Sequence, residues 1–415
     1  MTNVLLLGSP AAGSLGGPSL LSSTCQVLRE AIPDASFTLL TMSPRSPEQE
    51  DATRRYGVEL GHGTPRELAA AFPLLLLWWA LRKTGINLPS LLKAPLPQQY
   101  RDSDIVIDMR GISFSDFFPG WRGHVLHAMQ LLAGVLLGKP VVKFTQDMGP
   151  FQERSNRWVA RFCLDRLSLV LARGAETRRY LVELGVKRPV LVRPDTAFIL
   201  QSASDEVVGE IVKRDALEVR PLIGIAPSQQ VWSRLKGEGD ASADRYVAML
   251  AALADALVEE QGATAVLIPN EVGGGRRYDD LYVARKVREA ATHQESIRLL
   301  EGVYSAEEIK GVIGRCDMVI ASRYHSTIAA LSTGVPCLVI GWGHKYREAM
   351  GMLGLDAYVF DYAHASTEEV LARTRELWAN REELASRIRE MAPHIRRSVF
   401  SSGKHIRRLL EGTGD

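Results

Sequence analysis

Short apolar runs recur along this chain, each entering a turn and then a segment of helical length. In the first half the runs are Asn3 to Gly8, Phe37 to Thr41, Asp104 to Asp108 (DIVID), Val141 to Thr145, Leu167 to Ala172 and Val190 to Val192. In the second half they are Pro221 to Ala226 (PLIGIA), Ala265 to Pro269, Met318 to Ala321 and Pro336 to Gly341 (PCLVIG). Between them lie helical stretches, among them Val125 to Leu137 ending at Gly138, Arg245 to Gln261, Ser305 to Arg315, and Ser326 to Thr333 ending at Gly334. Strands alternating with helices, with runs apolar at nearly every position, predict parallel sheets covered on both faces. The expected fold is α/β, two doubly wound Rossmann-like domains facing a central cleft.

The 415-residue length suits two such domains. The charged, helical-looking stretch Leu200 to Arg220 marks the junction. The expected division is 1–205, 206–375 and a helical tail at 376–415, with Thr367 to Leu410 rich in helix. In folds of this kind ligands bind at the carboxyl ends of the strands. With 50 basic and 48 acidic residues the net charge is +2, which gives no field for nucleic acid as main partner. Any anion site must be local. Four scattered cysteines (Cys25, Cys163, Cys316, Cys337) offer neither a disulfide scaffold nor a zinc-ligand spacing, which fits a reducing cytoplasm. No basic segment precedes the strand at Val4 to Leu7, so a signal peptide is not expected.

Leu68 to Leu81 is the most hydrophobic stretch, contains Pro73 and ends at Arg82-Lys83. It is shorter than the roughly 20 apolar residues needed to span a bilayer. It reads either as a buried helix or, with Trp78 and Trp79 before two cations, as a peripheral membrane contact through 68–83.

The most informative segment runs from Cys316 to Lys345. A strand ends at Ala321; Arg323 and His325 fall on the following turn, and Ser326 and Thr327 sit where the helix is expected to begin. Free backbone N–H groups there favour an anion. Arg323 offers a forked guanidinium and His325 a proton donor near neutral pH. Read from these residues alone, the site either holds a small phosphorylated or carboxylated ligand, or Arg323 pairs with an acid and His325 caps the helix.

SRYHSTIAALSTGVPCLVIGWGHK (Ser322 to Lys345) resembles the C-terminal signature of the polysaccharide pyruvyl transferase family. Three further stretches are similar to that family in the expected order: Gly138 to Phe151 (GKPVVKFTQDMGPF), Leu169 to Val186, and Arg193 to Phe198 (RPDTAF). The resemblance covers most of residues 1–365. It implies a two-lobed, GT-B-like fold and transfer of the pyruvyl (enolpyruvyl) unit of phosphoenolpyruvate onto hydroxyls of a saccharide or glycolipid precursor, giving a pyruvate ketal. It implies a role in polysaccharide biosynthesis for the cell envelope, with phosphoenolpyruvate as co-substrate and no metal or redox cofactor. By resemblance Arg173 holds the donor's carboxylate or phosphate, Arg323 and Lys345 neutralise the donor, and His325 is the general acid. Ser326 adds the helix-start hydroxyl and Arg110 a third anion contact, or a surface ion pair.

The chain departs from the family at Ser14-Leu15-Gly16-Gly17, where an Asn-x-Gly-Asp turn is usual, and at Asp108-Met109-Arg110-Gly111, where glycines follow one another. Both are expected on the acceptor side. Further candidates are Asp279 and Asp280 as a helix N-cap with a first-turn acid or as substrate-orienting groups, Asp195 as a turn residue, and Asp147 as a base. His124 and His127 are read as helix-face residues. Gly273 to Gly275 with Arg276 and Arg277 form a basic loop, either solvated or closing on phosphate. Two rivals remain: a glycosyltransferase using a nucleotide sugar, and a ligand-binding scaffold without turnover.

Overall fold

The apolar runs are buried because parallel strands bury both faces. The computed structural model describes residues 1–12, 14–117, 120–272 and 279–412. By contacts the chain forms two units. The first is Met1–Ala12, Leu20–Thr196 and Arg397–Asp415; the second is Gly13–Ser19 and Ala197–Arg396.

In the first unit the strands are β1 Thr2–Leu7, β2 Ala35–Leu40, β3 Glu59–Leu60, β4 Ile105–Asp108, β5 Ile112–Ser113, β6 Val141–Met148, β7 Leu169–Ala172 and β8 Val190–Val192. They pair in parallel in the order β3-β2-β1-β4-β6-β7-β8, with β5 against β6. The second unit has β9 Leu222–Ala226, β10 Thr264–Leu267, β11 Ile297–Leu299, β12 Met318–Ala321, β13 Cys337–Gly341 and β14 Val359–Asp361, ordered β11-β10-β9-β12-β13-β14. Each order reverses at its first strand, between β1 and β4 and between β9 and β12. That reversal opens a crevice at the strands' carboxyl ends.

Three differences from the sequence reading have physical causes. The units part at Thr196/Ala197 rather than within 200–220, because Lys310 ties Phe198 and Leu200 to the second unit through their carbonyls. The stretch 376–415 is not a separate body: the helix Arg381–Leu410 has residues in both units. Finally, β6 does not stop at Thr145. It continues through Gln146, Asp147 and Met148, all buried, after a register shift against β7 and a positive φ of 42° at Thr145. Polar residues can continue a buried strand when their side chains are bonded, and Gln146 Nε2 donates to the Asp108 carbonyl at 2.5 Å.

Candidate functional site

In the second unit, β12 (MVIA) is fully buried and ends at Ala321. Arg323 is the N-cap of the helix Tyr324–Thr333, so the helix begins two residues before Ser326. Gly334 closes it at φ 82°, a left-handed cap that suits glycine. This short strand-turn-helix fixes Arg323 and His325 at the sheet's reversal point.

Arg323 is 11% exposed and engages two acids. Its Nε lies 3.0 Å from Asp280 Oδ1, its Nη2 also reaches that oxygen, and Nη2 is 2.6 Å from Glu271 Oε2. Asp280 is wholly buried. It accepts backbone N–H bonds from Gln229 (2.8 Å), Asn270 (3.0 Å) and Glu271 (2.9 Å). One carboxylate thereby joins the loops after β9, β10 and β12. Burial works against the Arg323 charge, but Asp280 and then Glu271 outweigh it and hold the guanidinium above its ordinary pKa. Burial raises the Glu271 carboxyl, Arg323 opposes that and Asp280 reinforces it.

The hydroxyls at the helix start are used internally. Ser326 Oγ donates to Asn270 Oδ1 at 2.9 Å, and Thr327 Oγ1 to the Arg323 carbonyl at 3.2 Å. His325 is half-buried against Gly16, where a Cβ would lie 2.7 Å from the imidazole Cε1 and 2.9 Å from Nδ1. His325 and Ser326 line a cavity of about 20 Å³ with Leu15, Ser19, Asn270 and Lys310. That holds a water molecule rather than a substrate. Lys345, one strand further on at the start of His344–Gly351, lies 4.2 Å from the Trp342 ring centroid, 5.2 Å from Tyr324 and 5.4 Å from Tyr346. Aromatic faces favour its ammonium.

Arg173 and Arg110 belong to the first unit. Arg173 follows β7, is buried, and sends Nη1 to Asp195 at 2.8 Å and Nη2 to Asp147 at 3.5 Å. Asp147 also accepts from Thr177 Oγ1 at 3.1 Å. Arg110 follows β4 and donates to Gln130 and His127. It is therefore no surface ion pair. Its neighbour Lys143, fully buried, reaches Asp108 at 2.6 Å, Ser113 at 2.7 Å and His127 Nε2 at 2.6 Å. Burial pushes the Lys143 pKa down and Asp108 opposes it. His124 and His127, read as helix-face residues, are both buried, since the helix Trp121–Leu136 turns them toward the sheet.

The structure thus brings His325, Arg323, Ser326 and Lys345 to two neighbouring strand ends of one unit. It adds three residues that sequence reasoning missed or underrated: Asp280, Lys310 and Gly16. Asp279 is the N-cap of Asp280–Ala290, as its position suggested, whereas Asp280 is the counter-ion of Arg323. The turn Ser14 to Gly17 falls within 1–205, the first of the expected domains. Its contacts place it in the second unit, with Leu15 N–H donating to the Asn270 carbonyl at 3.1 Å. Its glycine is needed there because an imidazole occupies the space a side chain would fill. The basic loop Gly273 to Arg277 lies outside the described residues.

Comparison with known proteins gives the family and the fold. The profile of the polysaccharide pyruvyl transferase family matches residues 18–344. The amylovoran biosynthesis protein AmsJ of Erwinia amylovora is 22% identical over 282 residues, spanning 66% of this chain and 66% of that protein. Among solved structures, Anabaena HepE in complex with UDP-glucose superposes with TM-score 0.61 at 14% identity, covering 99% of this chain and all of that one. The glycosyltransferase SnogD of Streptomyces nogalater gives TM-score 0.53 at 15% identity, with 99% of each chain covered. The structural likenesses carry the fold, a two-domain α/β arrangement of the GT-B type.

Proposed function

The chain belongs to the polysaccharide pyruvyl transferase family, and from that premise we propose that it moves the pyruvyl unit of phosphoenolpyruvate onto hydroxyls of a saccharide or glycolipid precursor, giving a ketal. The observation that carries this reading is the set His325, Arg323 and Lys345 at the ends of β12 and β13.

The chemistry uses each group. A proton from His325 goes to the methylene carbon of phosphoenolpyruvate, and the central carbon becomes electrophilic. An acceptor hydroxyl attacks that carbon and gives up its proton. The carbon–oxygen bond to phosphate then breaks, releasing inorganic phosphate. A second hydroxyl closing on the same carbon, with loss of its proton, completes the ketal. Lys345 and the Arg323 guanidinium, which its paired acids hold in place, stabilise the charge that develops on the leaving phosphate. Gly16 and Tyr324 hold the imidazole in place, the Tyr324 ring lying edge-on at 5.6 Å.

Phosphorus NMR tests the reading. Full-length protein is incubated with phosphoenolpyruvate and a panel of hexosides carrying free 4- and 6-hydroxyls. Acceptor-dependent phosphate release, lost in His325→Ala, is expected. Sugar transfer from UDP-glucose, with phosphoenolpyruvate unchanged, would overturn it in favour of glycosyl transfer.

A further inference from the structure

The helix Pro65–Lys83 is apolar on every side, yet the fold covers one stripe of it. Leu68, Ala71, Leu75 and Trp78 are buried, at steps of three and four residues along one face. Leu74, Leu76, Leu77 and Trp79 are each about 40–50% exposed, and no charged residue falls between Leu68 and Leu81. A helix apolar all round is ordinarily covered on all sides.

The surface continues sideways. The helix packs against Trp121–Leu136, and that in turn against Arg154–Leu164, all in the first unit. From Val125 to Leu136 there is no charged residue apart from the buried His127, and Val125, Leu126, Met129, Leu132, Val135 and Leu136 are partly buried apolar residues at the edge of the core. On the third helix Trp158, 69% exposed, stacks on Phe162 at 5.4 Å. This exceeds the scattered apolar residues normal on a surface.

Charge indicates what covers it. The three helices carry seven Arg or Lys residues and a single acid, Glu67. Several cations lie over the aromatic rings: Arg82 over Trp78 at 5.0 Å, Lys83 over Trp79 at 5.9 Å and Arg166 over Phe162 at 3.6 Å. Indole rings with long cationic side chains at the edge of an apolar face suit the headgroup boundary of an anionic bilayer. A second copy of the chain fits less well, because a two-fold interface would oppose this cationic surface to itself.

We propose that this three-helix face docks the protein onto an anionic lipid surface. It lies along the boundary, since no helix among the described residues is long and apolar enough to cross a membrane. An acceptor carried on a lipid would then be met at that surface. The inference does not depend on the donor's identity.

Vesicle flotation of the full-length protein tests it. The protein is expected to float with phosphatidylcholine–phosphatidylglycerol vesicles and much less with phosphatidylcholine alone, with binding weakened by salt. Removing one cation, as in Lys83→Gln, should lower partitioning about fivefold at low ionic strength. The double variant Leu77→Glu/Trp79→Glu should stop floating while its circular dichroism and melting temperature stay unchanged, both side chains being exposed. Flotation with neither vesicle overturns the proposal. So does undiminished flotation of the double variant, or a concentration-dependent dimer that those substitutions abolish.

Discussion

Arg323 and Asp280 form a fork on a single oxygen, with Nε at 3.0 Å and Nη2 on the same atom, inside the second unit. The arginine at the site is therefore aimed by an acid whose other bonds join the loops after β9 and β10. Removing Arg323 leaves the buried Asp280 without its cation, a loss of about 3–5 kcal/mol, and removing Asp280 leaves Arg323 with Glu271 alone, a smaller loss. Both Asp280→Asn and Arg323→Ala should lower the urea midpoint, the second by more. A ligand-binding defect in Arg323→Ala therefore cannot be separated from loosening of the turn, and His325 is the better probe. Wild-type stability in both variants would contradict the pairing.

Gly16 and His325 give a sharper test. An alanine at position 16 brings its Cβ to 2.7 Å from the imidazole, closer than contact allows, so the ring must move. A displacement of that order at a reacting group costs roughly 100-fold in rate. Gly16→Ala should lose turnover by about that factor with its melting temperature nearly unchanged. Equal activity in variant and wild type would show that the position of His325 is not critical.

Lys310 predicts a pH signature. Its ammonium donates to the carbonyls of Leu200 at 2.5 Å and Phe198 at 3.4 Å, with no carboxylate partner among the described residues. Burial, aided by the positive charge of Arg396, pushes its pKa from 10.5 to about 7. Between those values the unfolded chain binds a proton that the folded chain has lost, so stability rises with pH across the window. It is fully regained above 10.5 and at its lowest below about 7. Urea denaturation at a series of pH values should show a steeper rise for wild type than for Lys310→Met. Parallel curves would count against the depressed pKa.

Arg173 separates a structural role from a binding one. Replacing it with alanine removes the guanidinium from Asp195 and Asp147, both buried. The expected loss is about 3–5 kcal/mol. The exposed Arg179, paired with Glu176 and Glu183, should cost less than about 1 kcal/mol when removed. Comparable effects of the two substitutions would mean that Arg173 does not anchor this turn.

Most of the fold was legible because buried parallel strands are runs of apolar residues. β12 and β8 match their predicted limits residue for residue. The strands that escaped notice, β3, β5, β11 and β14, have two or three residues and each includes a polar one, whereas β8 (VLV) is apolar throughout. The line-up of His325, Arg323, Ser326 and Lys345 could be read because those residues are close in sequence as well as in space. Asp280 and Gly16 could not, since their contacts with Arg323 and His325 reach across the chain. The helix start was misplaced because Ser and Thr look like caps, while here their hydroxyls bond to Asn270 and to the Arg323 carbonyl.

The proposed function requires phosphoenolpyruvate to bind at the second unit's site. It is tested most directly by calorimetric titration of wild type, His325→Ala and Lys345→Met with phosphoenolpyruvate, UDP and UDP-glucose. Saturable phosphoenolpyruvate binding to wild type is expected. Lys345→Met should weaken it about tenfold, as befits loss of one charge-assisted contact, and His325→Ala should largely retain it. Binding of UDP or UDP-glucose with no heat from phosphoenolpyruvate would contradict it.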